Sequence, residues 1–474
     1  MDAMTKKYRP SVYNIPVDLE DGSGQTLLIH GYTGAMDIAS EAIIECLQPG
    51  EEYTSGSFPL SEETFRALVS RGYLTERTEE EEYEYVKRFS RVFNNWEHTR
   101  LKSFTFMVTY NCNFRCPYCY ESEISHKGRQ WSGKVFTKEM VDRAYQAIEE
   151  IEPNKNNIYK IITLYGGEPL LAANKEIVNY IVNKGQEKGF RFYAVTNGYD
   201  LDSYLDLLGE NKICSLQITI DGEKEFHDKR RVHYIYGKSY EQIMKNVSKA
   251  LEKGIHLTIR ANTDGHNIVS MQRLKAEFQA RGFYNYKTFG FYAALLCGSK
   301  GGTITNIETK KSSNLIYLTH EEIVEKVKKE GFPFSVQDYG VYNKIYCALS
   351  KHSKISFNTI YCTAQTNGYI LDPYGEIYPC WESIGKKDKI LGRYINNEVI
   401  WNEKEITRWH TRYIGNLDKC QKCKYALFCG GGCFAKLSAD ERMEKICDGY
   451  PVVFQVFAAH AYKEYIKSCS LNNI

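Results

Sequence analysis

Three cysteines crowd into eight residues of this chain, reading Cys112-Asn-Phe-Arg-Cys116-Pro-Tyr-Cys119. Thiolates at CxxxCxxC spacing can wrap one face of a [4Fe–4S] cubane, and three ligands leave one iron open for chemistry. Structural zinc is the competing reading, but it is normally closed by four ligands, and the nearest histidines are His98 and His126. A second set lies toward the other end of the chain: Cys347, Cys362 and Cys380, then Cys420-x2-Cys423-x5-Cys429-x3-Cys433, then Cys447. CxxC pairs alone suit zinc ribbons as readily as iron–sulfur sites. In all the chain holds 15 cysteines, and its start, Met-Asp-Ala-Met-Thr-Lys-Lys, lacks the apolar core of a signal peptide. The expected location is therefore cytoplasmic. Thiols there stay reduced, so metal or redox chemistry is expected rather than a disulfide framework.

Elements able to position these thiols follow from the rest of the sequence. A length of 474 residues suggests about three domains, and 43% hydrophobic with 25% charged residues is ordinary globular material. A formal charge of +2 gives no electrostatic reason to expect nucleic acid or a membrane surface as partner. The longest uncharged apolar stretch, 288–299, falls short of the roughly 18 residues that a span needs.

Three zones are expected, at 1–95, 96–320 and 321–474. In the first, the alternation of Tyr13, Ile15, Val17 and Leu19 predicts a strand, Asp21 to Gly24 a turn, and Thr26 to Ile29 its hairpin partner. Apolar residues at helical spacing predict a helix over 35–47, and a second runs from an N-cap at Ser61 to Gly72, with Tyr73-Leu74 as a wing strand. The zone reads as a winged helix. The middle zone alternates strand candidates (104–110, 160–165, 190–196, 215–220, 256–262, 289–293) with amphipathic helices such as 138–151, 175–188 and 240–253. Six βα units predict an α/β fold, a parallel barrel or open sheet, with sites at the strands' carboxyl ends. The first cysteine set directly follows the first of those strands.

With an aromatic, Tyr118, before its last cysteine, that set resembles the radical S-adenosylmethionine (radical SAM) superfamily. Its other motifs occur in order. Gly166-Gly167-Glu168-Pro169 follows the second strand, Thr219 and Asp221-Gly222 end the fourth, His227-Asp228 and Arg231 come next, and Arg260 and Asn262 end the fifth. The resemblance implies a partial (β/α)6 TIM barrel in which Cys112, Cys116 and Cys119 hold the catalytic cluster. It implies S-adenosylmethionine contacts by Tyr118, Gly166, Gly167, Glu168, Thr219, Arg231 and Asn262. The glycines permit close backbone approach and the glutamate complements a cation. Reduction would release a 5′-deoxyadenosyl radical that takes hydrogen from a substrate, with flavodoxin or ferredoxin as the reducing partner.

The seven-cysteine string after residue 361 resembles the SPASM domain of peptide-modifying relatives. That resemblance implies two auxiliary [4Fe–4S] clusters. Cys420, Cys423, Cys429 and Cys447 would hold the outer one; Cys362, Cys380 and Cys433 would hold the inner one, with Cys347 as fourth ligand. Cys347 as a buried core thiol is the other reading, and Cys46 and Cys214 are expected in the core. Sulfatase-maturing relatives carry an aspartate after the cysteine matching Cys380; here Trp381 and Glu382 follow, which puts sulfatase maturation in doubt.

The front zone offers too few cations to bind DNA, with only Arg66 and Arg71 on its second helix. It resembles the precursor-recognition domain of peptide maturases, where a leader peptide would add a strand to the hairpin edge. The expectation is a maturase that joins cysteine sulfur to a side-chain carbon such as that of aspartate, as ranthipeptide maturases do. A sactipeptide-type α-carbon link or a carbon–carbon cross-link is the alternative; a zinc-stabilised peptide-binding protein is the alternative from another class.

Overall fold

The computed structural model describes residues 6–121, 129–296, 315–316, 318–436 and 449–471. They form two compact units that do not follow chain order: Thr99–Gln337 with Thr363–His410, and Met1–His98 with Asp338–Cys362 and Thr411–Ile474.

The first unit is mixed α/β and built on a large sheet. Six strands, β1 (Ser103–Thr109), β2 (Ile161–Gly166), β3 (Arg191–Thr196), β4 (Ile213–Thr219), β5 (His256–Thr263) and β6 (Phe289–Leu295), lie side by side in sequence order and all parallel. All six were legible as strand candidates. Their residues alternate: on β5, Leu257, Ile259 and Ala261 are fully buried, whereas Thr258, Arg260 and Asn262 are half-buried. The buried face packs under helices such as Lys138–Ile151, which buries Val141, Ala144, Tyr145 and Ile148 and is capped by Thr137, whose side chain accepts from Met140 N. Each such apolar side chain contributes about 1.5–3 kcal/mol. Helix Lys175–Glu187 approaches closely at Gly185, where a Cβ would lie 2.3 Å from Phe192.

The sheet does not stop at six strands. β7 (Ser335–Val336) extends it beyond β6, and β8 (Gly368–Leu371) pairs in parallel with β1, followed by antiparallel β9 (Glu376–Tyr378), β10 (Gly392–Arg393) and β11 (Ile400–Trp401). Residues just past Cys362 thus continue the core sheet.

In the second unit, strands Asn14–Asp18, Gln25–His30 and Met36–Ser40 form an antiparallel sheet, with Val17 opposite Leu27 and Leu27 opposite Ile38. The helix expected over 35–47 is corrected here. Gly34, at φ +67°, turns the chain so that 36–40 pairs as a strand, and only Glu41–Glu45 is helical. Apolar residues at helical spacing lost to hairpin pairing, because the turn supplies a partner strand. Helix Glu62–Arg71 has the expected caps: Ser61 accepts from Thr64 N and Gly72 is left-handed at φ +92°. Leu74–Thr75 pairs with Arg9–Pro10, and the acidic run at Glu79 opens a twenty-residue helix to His98. Helix Val341–Ser350, short helices Asp418–Gln421 and Ala426–Cys429, and helix Tyr450–Leu471 also belong to the unit. Among the described residues no helix is long and apolar enough to cross a membrane.

Candidate active site

The loop carrying Cys112, Cys116 and Cys119 leaves the carboxyl end of β1 and curls on itself. Phe114 N donates to Cys112 Sγ at 3.3 Å, and Cys119 N to Cys116 O at 3.2 Å. All three thiols are half-exposed as residues, yet burial of their sulfurs pushes each up, Cys119 to about 12. Charge on Cys116 opposes ionisation at both Cys112 and Cys119, and three thiols carried on one short loop are a donor set that fits an iron–sulfur cluster. His126, the fourth zinc ligand that the sequence left open, lies outside the described residues.

Side chains from three separate segments meet at Tyr118. Arg231 Nη1 donates to its hydroxyl oxygen at 2.6 Å and Asn262 Nδ2 at 3.3 Å, while the hydroxyl donates to Asp221 Oδ2. Asp221 Oδ1 accepts from Asn262 N at 3.0 Å. Burial holds the phenol well above its usual range, so it keeps its proton and donates. Arg231 Nε is buried with no hydrogen-bond partner among the described residues. An orphaned guanidinium donor costs free energy until an anion arrives, and it fits a carboxylate such as that of S-adenosylmethionine.

Gly166, Gly167 and Glu168 cross under the loop. Gly167 N donates to Thr109 O at 2.9 Å and Glu168 N to Asn111 O at 2.8 Å. A Cβ on Gly167 would sit 2.4 Å from Asn111 O, so only glycine lets the two backbones pass. Glu168 is buried and fully engaged: Oε1 accepts from Leu170 N (2.8 Å) and Thr196 Oγ1 (2.6 Å), and Oε2 from Asn197 N (2.6 Å). Burial lifts its carboxyl to about 7. Glu168 therefore ties the ends of β2 and β3 and is not part of the Tyr118 group. Thr219 is buried at the end of β4, beside Arg260 by strand register.

Sequence reasoning missed a second group. Glu121, two residues past Cys119, is buried, and burial lifts its carboxyl to about 8. Tyr120 OH donates to Glu121 Oε1 at 2.9 Å and accepts from Tyr165 OH at 2.9 Å. The Tyr165 ring lies 4.1 Å from that of Trp381. Below them Tyr110 OH donates to buried Asp372 at 2.7 Å. A tyrosine at the end of each of β1 and β2 was the available signal. Glu382 is exposed.

Of the second cysteine set, Cys380 belongs to the unit just described and is half-buried; Cys347, Cys362, Cys420, Cys423, Cys429 and Cys433 belong to the second unit. There Cys420 is buried, Cys423, Cys429 and Cys433 are half-buried, and Cys347 and Cys362 are exposed; Cys447 lies outside the described residues. Arg412, 1% exposed, donates to Gly431 O at 2.9 Å and Gly432 O at 3.1 Å. Burial lowers its pKa, while Cys420, Cys433, Cys429 and Cys362, in that order, oppose the shift. A buried cation among four thiols fits a site in which those sulfurs carry charge. Cys46 is a core thiol, and Cys214 donates to Phe192 O at 3.3 Å.

Residues 106–275 match the family model of the Radical SAM superfamily. The cysteine-type anaerobic sulfatase-maturating enzyme of Clostridium perfringens is 24% identical over 368 residues, spanning 73% of this chain and 92% of that protein. Among solved structures, native anSMEcpe with bound AdoMet and Kp18Cys peptide superposes with a TM-score of 0.55 at 17% identity, over 79% of this chain and all of that one. Streptococcus suis SuiB bound to S-adenosylmethionine gives 0.53 at 13% identity, over 93% of this chain and 99% of that one. The chain carries a radical SAM domain and is an enzyme, which sets aside the zinc-stabilised binding protein.

Proposed function

We propose that the chain is a radical SAM enzyme acting on a ribosomally made precursor peptide, forming a thioether between cysteine sulfur and a side-chain carbon. The observation that carries the radical reading is the three-thiol loop beside a group, Tyr118, Arg231 and Asn262, that holds an orphaned guanidinium donor. Bound at the loop, a [4Fe–4S] cluster and S-adenosylmethionine would supply the 5′-deoxyadenosyl radical chemistry of the superfamily, given an electron from a flavodoxin or ferredoxin. Arg231 would hold the cofactor's carboxylate, Tyr118 fixes that arginine and is itself held by Asn262, and Gly166-Gly167 lets the end of β2 pass beneath the loop.

A peptide substrate is supported by the relatives, one of whose structures holds a Kp18Cys peptide. The leader would bind as a strand along Met36–Ser40, an edge of the small sheet. Cys347, Cys362, Cys380 and Cys433, with Cys420, Cys423, Cys429 and Cys447, would hold two auxiliary clusters that carry away the electron left by linking.

Likeness to sulfatase maturases favours a second reading, oxidation of a single residue in a sulfatase peptide. Anaerobic turnover with a leader-bearing peptide decides between them. A thioether removes two hydrogens per link and leaves the linked segment resistant to fragmentation. Single-residue oxidation leaves every bond of the backbone ladder cleavable. Cofactor cleavage with an unchanged peptide mass would sink both.

A further inference from the structure

Among the described residues, Arg412 is the largest side chain that the fold buries completely. Its guanidinium donates from Nη2 to Gly431 O at 2.9 Å and from Nη1 to Gly432 O at 3.1 Å. Those carbonyls belong to the three-glycine link between Cys429 and Cys433, and each glycine in it is left-handed. The Phe434 ring, one residue past Cys433, lies 5.2 Å from the guanidinium carbon. Other segments close on the same link. A Cβ on Gly430 would fall 2.7 Å from Tyr361 N, so the link passes close against the backbone that leads into Cys362. Ile414 N donates to Thr359 O at 3.0 Å, and Cys420 N to Leu417 O at 2.8 Å. Arg412 therefore sits where the segments bearing Cys362, Cys420, Cys429 and Cys433 converge, and charge on each of those thiols bears on it. The nearby lysines differ in reach. Lys344, which burial lowers to about 8, answers to Cys429, and Lys424 to Cys423.

The four thiols do not belong to one site in the ligand sets given above. Cys420 and Cys429 go to the outer cluster, Cys362 and Cys433 to the inner. A guanidinium keeps its charge when buried, and a buried charge is tolerated only beside charge of opposite sign. Iron–sulfur potentials respond to the charge and hydrogen bonding around the sulfurs. A fixed cation favours the form that carries the extra electron, and so raises the potential. We propose that Arg412 is a counter-charge shared by the two auxiliary clusters, raising the potential of both so that each can take the electron that linking leaves on the peptide. This rests on the two-cluster reading above and adds to it the residue that tunes the clusters. Acting through them, Arg412 sets where the electron goes without being a ligand.

The test uses the full chain, reconstituted anaerobically and carrying Cys116→Ala so that only the auxiliary clusters remain to titrate. A dye-mediated redox titration followed by electron paramagnetic resonance gives a midpoint for each cluster. Arg412→Gln removes the charge yet keeps an amide that can donate to the glycine carbonyls. Both midpoints should fall in that variant, each by at least about a tenfold change in the oxidised-to-reduced ratio at fixed potential, or ~59 mV for one electron. Arg412→Lys, which restores the charge, should recover most of that shift. Iron should stay at about eight per chain throughout. Midpoints that do not move in Arg412→Gln would overturn the proposal. A shift in one couple alone would also overturn it, by making Arg412 the partner of a single cluster. An equal fall in Arg412→Lys would do so by placing the effect in the hydrogen bonds and not the charge. Loss of iron from both variants would do so by making the role structural. Failure of the parent reading looks different: with Arg412 intact, the Cys116→Ala chain would show fewer than two couples, and the proposal would fall with it.

Discussion

The loop at Cys112–Cys119 and the segment Cys420–Cys433 both gather thiols, but the chain builds around them in different ways. The loop hangs from the end of a parallel strand, and its neighbours are side chains brought in by other segments: Arg231 from the end of a helix, Asn262 from β5 and Asp221 from just past β4, around Tyr118. The later segment turns through short helices and three successive left-handed glycines, Gly430, Gly431 and Gly432. Its cation, Arg412, is bonded to backbone carbonyls of its own segment. One site turns its cation onto the side chain of Tyr118, among groups drawn from separate segments of the chain. The other spends its cation on its own main chain, as a structural or electron-carrying site would.

Removing a thiol from each region breaks this comparison most severely. Cys116→Ala should abolish 5′-deoxyadenosine formation, a loss of at least about a thousandfold, together with about four irons. Cys429→Ala should also lose iron yet retain reductive cleavage of the cofactor. Equal loss of cleavage in both variants would mean that the regions do not divide the work. Next in size is Arg412→Met, which fits the volume but strands two carbonyls and leaves four thiols without a cation. A cost of about 3 kcal/mol is expected, read as a lowered unfolding midpoint with cofactor affinity unchanged.

The same contrast explains what the sequence could reveal. Cys112, Cys116 and Cys119 were legible because their geometry is local, and six alternating strands announced the sheet that carries them. The Tyr118 group was partly legible: Asn262 could be placed at a strand end and Arg231 in the segment after the fourth strand, but their meeting at one hydroxyl depends on how those segments pack. Glu121 and Asp372 were not legible, since a single acidic residue in sequence carries no mark of burial. The strand Met36–Ser40 was misread because a one-glycine turn at Gly34 outweighed an apolar spacing that suited a helix. Joining of β8 to β1 was invisible for a related reason, as pairing across more than 250 residues leaves no periodic trace.

Acidity should separate the regions further, because the loop rests on buried carboxyls and the later segment on a buried cation. Asp372, with an ordinary value of 3.8, is lifted to about 7 by burial although Tyr110 OH, Tyr374 N and Glu376 N all donate to it. A carboxyl raised in the fold binds more proton folded than unfolded. Its stabilisation is therefore complete below pH 3.8 and lost as pH rises through about 7. Asp372→Asn should flatten the fall of the melting midpoint across that window, an effect on the order of 2 kcal/mol. An unaltered slope would show that Asp372 is ionised throughout.

The smallest change sharpens the comparison most finely. Tyr118→Phe removes one hydroxyl that accepts from Arg231 and Asn262 and donates to Asp221, while the ring and its place between Cys116 and Cys119 remain. Nothing in the thiol set alters, so iron content should match the wild type. Arg231 loses its hydrogen bond from Nη1 and is no longer held in a fixed orientation. The loss of one hydrogen bond to a charged donor is about 1.5 kcal/mol, or roughly tenfold in S-adenosylmethionine affinity. A tenfold weaker dissociation constant with a full complement of iron would separate the scaffold that holds the cluster from the scaffold that orients the cofactor. If iron falls along with affinity, the two are one structure, and the loop is then built more like Cys420–Cys433 than its side-chain contacts imply.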